Sequence, residues 1–76
     1  PHPVFQVPLA HKGIRIVTPR LVRNAHRAGA EVHVWTIDEP AVMHELLDMG
    51  VDGVMTDKPI LLKSVLQERG EWFGTD

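Results

Sequence analysis

Two clusters hold the side chains best suited to chemistry. Trp35-Thr36 ends the apolar run Val32-His33-Val34, and Thr56-Asp57 ends Gly53-Val54-Met55. An indole offers a flat apolar face against which a ligand packs, although a large aromatic is also a common core filler. A hydroxyl and a carboxylate just ahead of a helix lie beside unpaired backbone N–H groups, where an anion such as phosphate is stabilised. The simpler role for Asp57 is as a helix N-cap, worth about 0.5 to 2 kcal/mol relative to alanine. The cap is the preferred reading, because Asp38-Glu39-Pro40 and Asp57-Lys58-Pro59 share one spacing to proline and so suggest one structural job.

The five histidines, His2, His11, His26, His33 and His44, raise the question of a metal. No two of them have the His-x₃-His spacing that places two imidazoles on one helical face, and there is no cysteine to join them. A metal site made by this chain alone is not expected. His26 and His44 read as borders of helical faces.

The elements that must position these residues recur as a repeat. A strand-like run, a Thr or Asp, a proline, an amphipathic stretch and a closing glycine occur three times: Thr18-Pro19 to Gly29, Asp38-Glu39-Pro40 to Gly50, and Asp57-Lys58-Pro59 to Gly70. Proline suits the first helical turn, and glycine the left-handed residue that ends it. A period of about twenty residues is one compact βα unit. The apolar stripes are Leu21, Val22, Ala25 and Ala28 in the first helix, Val42, Met43, Leu46 and Leu47 in the second, and Leu61, Leu62, Val65 and Leu66 in the third. Helices this short are marginal alone, so each stripe needs a sheet to cover.

Strands are expected at Val4 to Val7, closed by Pro8, at Glu31 to Ile37, and at Gly53 to Thr56. Ile14 to Val17 is either a fourth strand or the extended lead-in to the first helix, and the lead-in is preferred. Alternating β and α units predict an α/β fold with a parallel sheet. If Val32 and Val34 face the helices, alternation puts His33 and Trp35 on the opposite face, with Trp35 nearer the carboxyl-terminal mouth. Asp52 and Gly53 fall in the tight return between helix and strand and read as structural.

Three such units in 76 residues do not close a barrel, since a (β/α)₈ barrel takes about 250 residues. The fold class is therefore α/β, βα units of a (β/α)₈ TIM barrel present as a partial barrel, with open strand edges that should pair with something. A hydrophobic fraction of 43% fits a globular chain better than a disordered one. A net charge of −2 argues against a nucleic-acid or anionic-membrane partner held by bulk electrostatics. No apolar run reaches the roughly 18 to 20 residues of a membrane span, and no signal-like core opens the chain. The cytoplasm is the expected location.

The run from Gln6-Val7-Pro8 through Thr18-Pro19, Ala25-His26-Arg27-Ala28-Gly29 and Val34-Trp35-Thr36 to Gly50-Val51-Asp52-Gly53-Val54-Met55-Thr56-Asp57-Lys58-Pro59 resembles the carboxyl-terminal end of glycerophosphodiester phosphodiesterases. Arg69-Gly70-Glu71-Trp72 adds similarity to bacterial members. The resemblance implies residues 1–70 as the C-terminal portion of the barrel and 71–76 as a tail. It implies hydrolysis of glycerophosphodiesters to glycerol 3-phosphate and an alcohol. It further implies a divalent metal ion, Ca²⁺ or Mg²⁺, and a pair of histidines that move protons around an in-line attack. By the same resemblance Trp35 lines the substrate pocket, with Thr56 and Asp57 as weaker substrate-binding candidates.

The chain departs from the family decisively. The His-Arg-Gly motif, the Glu-Asn-Thr region with its Glu and Asp ligands, the later His-Asp and the mid-barrel Glu ligand have no counterpart here. His11-Lys12-Gly13 is similar to the first of these only superficially, because Ile14-Arg15-Ile16-Val17 follows it, and it reads as a surface turn closed by glycine. No catalytic residue and no metal ligand is assigned to this chain, and the isolated polypeptide is expected to be inactive. Its expected partners are the substrate, in the intact parent enzyme, and the missing N-terminal barrel portion or another copy of itself. Two alternatives remain: another phosphate-binding TIM-barrel enzyme, such as a synthase or aldolase, and a non-catalytic self-assembling βα module.

Overall fold

All three helices begin on the prolines that mark them in the sequence. The computed structural model describes residues 3–70. Its elements run β1 (Val4–Pro8), β2 (Ala10–His11), β3 (Ile14–Arg15), α1 (Pro19–Arg27), β4 (Glu31–Trp35), α2 (Pro40–Met49), β5 (Gly53–Val54) and α3 (Pro59–Glu68). Proline costs nothing at the first helical position, where its missing N–H has no intrahelical partner to bond. At the far end of α2, Gly50 takes φ 92°, a left-handed cap that would strain any residue with a Cβ.

The parallel strands β1, β4 and β5 form one sheet in chain order. Val4 pairs with Glu31 and Pro8 with Trp35 across the first ladder, and His33 pairs with Gly53 and Val34 with Val54 across the second. This is three staves of a barrel, left open.

Side-chain alternation then sets the two faces. Val32 and Val34 are fully buried and gather with Val22 and Ala25 of α1, Met43 and Leu46 of α2, and Val65 of α3 into one core. Glu31, His33 and Trp35 point the other way, as the alternation of the sequence predicts. The helical stripes are borne out at their centres, whereas Ala28 lies exposed at the edge of the first. Phe5 is 47% exposed at the β1 edge, above a shallow hollow of about 290 Å³ that it shares with Leu21, Asn24, Ala25 and Ala28.

The segment before α1 differs from the sequence reading. Ile14–Arg15 is a strand, but it belongs to a separate antiparallel hairpin with Ala10–His11 and not to the parallel sheet. Lys12 and Gly13 take φ 51° and 78°, the two positive values that a two-residue hairpin turn demands. The expected lead-in is confined to Ile16 and Val17, whose N–H groups both donate to the Leu9 carbonyl at 2.9 and 3.2 Å. His11 sits on this exposed hairpin, as its reading as a surface turn requires.

The capping expectation needs correction. Thr18 does cap α1, its hydroxyl accepting from the Leu21 N–H at 3.2 Å. Asp38 and Asp57 do not cap α2 and α3. The cap positions fall to Glu39 and Lys58, and neither side chain makes a capping bond. A proline at the first helical position puts the cap on the residue immediately before it, and both aspartates stand one residue too early.

Candidate functional site

The carboxyl-terminal rim is built where β4 and β5 run out. Both strands end sooner than expected, at Trp35 and Val54, and polar turns carry the chain onward into α2 and α3. Trp35 lies on the face away from the helices and is 44% exposed. Its peptide bond to Thr36 is cis. A small pocket of about 100 Å³ opens at the β4–α2 turn, lined by Leu9, Thr36, Ile37, Asp38, Glu39 and Val42.

Backbone bonds to Met55 bracket Trp35 and Thr36. The Met55 N–H donates to the Val34 carbonyl at 2.8 Å, and the Met55 carbonyl accepts from the Ile37 N–H at 2.9 Å. A regular parallel ladder places those two partners two residues apart. Here they are three apart, so one extra residue is bulged out of β4 at the rim.

Asp38 connects the two turns. Its Oδ1 accepts the Thr56 hydroxyl at 2.7 Å and the Asp57 N–H at 3.0 Å, while Thr56 Oγ1 in turn accepts the Lys58 N–H at 2.9 Å. The Thr56 hydroxyl bonding to the charged form, followed by the Asp57 N–H, holds the Asp38 carboxyl below its ordinary value of 3.8. The structure thus brings Trp35, Thr56 and Asp57 to one rim, with the Thr56 hydroxyl and the Asp57 N–H already engaged by Asp38. Asp38 was not foreseen as the connecting residue. Its separation from Pro40 by Glu39 signals only that the carboxylate is free of capping, not what it binds.

Lower on the same face, His33 Nε2 lies 2.9 Å from Glu31 Oε1. A Cβ at Gly53 would meet the His33 ring at 3.2 Å, so the bare glycine makes room for the imidazole. Asp52 proves structural, as expected. Its Oδ2 accepts the Val32 N–H at 2.7 Å and lies 2.8 Å from His26 Nε2, tying the α2–β5 return to β4 and to α1. His44 lies against Arg69 and Glu68. Among the described residues no group of three or more His, Asp or Glu side chains could hold a metal ion. The described residues alone therefore do not make a divalent-ion site, and His2 lies outside them.

A parallel sheet in chain order, helices packed on one face, and a tryptophan with polar strand ends at the carboxyl rim define part of a (β/α)₈ barrel. The sequence profile of the glycerophosphoryl diester phosphodiesterase family matches residues 2–61. The chain belongs to that family. It is 55% identical over 69 residues to the Mycobacterium tuberculosis protein named Probable glycerophosphodiester phosphodiesterase 2, a match covering 91% of this chain and 26% of the relative. A dermonecrotic toxin of Loxosceles deserta is 47% identical over 38 residues, covering 50% of this chain and 14% of the toxin. A crystal structure of the Silicibacter pomeroyi protein named Putative glycerophosphoryl diester phosphodiesterase superposes with a TM-score of 0.71 at 38% identity, covering 76% of this chain and 20% of that one. The chain thus spans about a quarter of the mycobacterial relative's length.

Proposed function

We propose that this chain supplies the carboxyl-terminal staves of a glycerophosphodiester phosphodiesterase, residues 1–70 forming the barrel portion, and that Trp35 forms one wall of the substrate site. The whole enzyme would hydrolyse a glycerophosphodiester to glycerol 3-phosphate and an alcohol. The observation that carries this reading is the half-exposed indole at the carboxyl end of a parallel strand, on the face away from the helices. Barrel enzymes place their sites at that end. A flat indole there packs on the glycerol portion of a substrate, which orients the phosphodiester without touching the bond that breaks.

The Ca²⁺ or Mg²⁺ ion and the proton-transferring histidines belong to the remainder of the barrel in this reading, and the described residues include no group of three or more His, Asp or Glu that could hold a metal. Thr56 and Asp57 stand at the same rim as weaker substrate-binding candidates, the Thr56 hydroxyl and the Asp57 N–H already donating to Asp38. The remaining staves, or a second copy of the chain, are the partners that would cover the open edges of β1 and β5. No described helix is long and apolar enough to cross a membrane.

The test is activity against glycerophosphodiesters with Ca²⁺ or Mg²⁺, measured on the 76-residue chain and on an intact barrel carrying this segment. The chain alone should not turn over. In the barrel, Trp35→Ala should reduce kcat/KM by about 10- to 100-fold, or roughly 1.4 to 2.8 kcal/mol of transition-state stabilisation. An unchanged kcat/KM would remove Trp35 from the substrate site.

A further inference from the structure

Thr56 and Asp57 read from the sequence as candidates to bind something. In the structure their donors bond instead to Asp38, on the turn that follows Trp35. The two turns are joined at two levels. The Met55 carbonyl accepts from Ile37 and the Asp38 carboxylate accepts from Thr56 and Asp57, while the Thr56 hydroxyl accepts from Lys58 within its own turn, at the start of α3.

We propose that Asp38 is a positioning residue for Trp35: its carboxylate clasps the β5–α3 turn to the β4–α2 turn and fixes the bulge from which the indole projects. The proposal rests on the reading of Trp35 as a wall of the substrate site. The clasp itself is independent of that reading.

The geometry favours this role for three reasons. First, the bulge inserts an extra residue between two backbone bonds to Met55, and an inserted residue leaves the local ladder without its regular pairing. Something beyond the ladder must then fix the turn, and Asp38 lies one residue past the second of those bonds. Second, both donors converge on one oxygen, Oδ1, so the aspartate joins a side chain and a backbone group of the opposite turn at a single point. Third, the bonds to Asp38 are charge-assisted, which shortens and strengthens them relative to neutral pairs. The 2.7 Å Thr56 contact is of that kind. Asp38 forms no capping bond at α2, so its hydrogen bonds go to the opposite turn.

Because one oxygen accepts both bonds, an amide in place of the carboxylate keeps the clasp. Asp38→Asn should preserve it, and Asp38→Ala should abolish it. Thr56→Ser should keep the hydroxyl link, and Thr56→Val should break it. The chain has tryptophans only at positions 35 and 72. With Trp72→Phe, the fluorescence of the full 76-residue chain reports Trp35 alone, with no substrate, metal or activity involved.

The experiment is acrylamide quenching and emission maximum of Trp35 in the Trp72→Phe chain, with far-ultraviolet circular dichroism recorded alongside. Asp38→Ala should raise the quenching constant about twofold, as the indole moves from 44% exposure toward full exposure, with helical dichroism unchanged. Asp38→Asn should stay within the range of the parent. If Asp38→Ala loses its helical signal, Thr56→Val against Thr56→Ser decides, with the serine variant matching the parent and the valine variant shifted. Unchanged quenching in Asp38→Ala, or an asparagine variant as perturbed as the alanine one, overturns the proposal. Because the signal does not depend on substrate, a Trp35→Ala barrel with full activity would refute the substrate-wall reading and leave the clasp standing.

Discussion

Asp52 and Asp38 each accept a backbone N–H from a separate element, and both are held in the charged form. At Asp52 burial acts to raise the carboxyl, but the Val32 N–H and His26 outweigh it and bring the pKa below 3.8. Asp38 is lowered as well, by Thr56 first and then by the Asp57 N–H. A carboxylate whose folded-state value lies below its unfolded one contributes stability that is fully present above the unfolded value. That contribution is lost as pH falls through the folded value. Thermal stability should therefore be level with respect to these groups above about pH 5 and decline as the pH is taken below about 4. Asp52→Ala should flatten part of that acid decline. At neutral pH it should cost about 1 to 3 kcal/mol, because the N–H of fully buried Val32 loses its acceptor. Calorimetry across a pH series checks both. The structural role of Asp52 was legible from its place in a tight return between helix and strand. The role of Asp38 was not, because a bond across 18 residues of chain leaves no periodic trace in sequence.

The helices were the most legible elements, because proline, glycine and a 3.6-residue stripe each carry their own physical reason. Thr18 illustrates the local logic: it directly precedes Pro19, and its hydroxyl accepts from Leu21. Thr18→Ala should cost about 1 kcal/mol, while Thr18→Ser should cost little, as read by denaturant midpoints. The corresponding substitution at Asp57 should not behave as loss of a cap, since that side chain makes no capping bond. The strands were legible in their centres and misjudged at their ends. Glu31 to Ile37 is one unbroken β-branched and aromatic run, yet the ladder stops at Trp35, because the bulge against Met55 takes Thr36 and Ile37 out of register. The β2–β3 hairpin escaped the reading because Lys12 with φ 51° is a choice few non-glycine residues make, and composition does not signal it.

At the scale of the molecule the sheet is three parallel strands whose two outer edges pair with no other described strand. Phe5, 47% exposed over its hollow at the β1 edge, is the kind of apolar surface that draws a partner. Light scattering of the purified chain should show a mass above the 8.5 kDa monomer at micromolar concentration, and Phe5→Lys should shift it toward the monomer. A monodisperse monomer across that range would count against self-association and leave the remaining barrel staves as the partner. The two ladders also differ sharply in length: β1 and β4 pair over five positions, whereas β5 joins β4 through two. The sheet should consequently open by peeling rather than all at once. In amide hydrogen exchange Met55, whose N–H bonds to Val34 at the β5 side, should exchange well before the amides of β4 that face β1, so that the rim carrying Trp35 loosens while the β1–β4 ribbon is still intact.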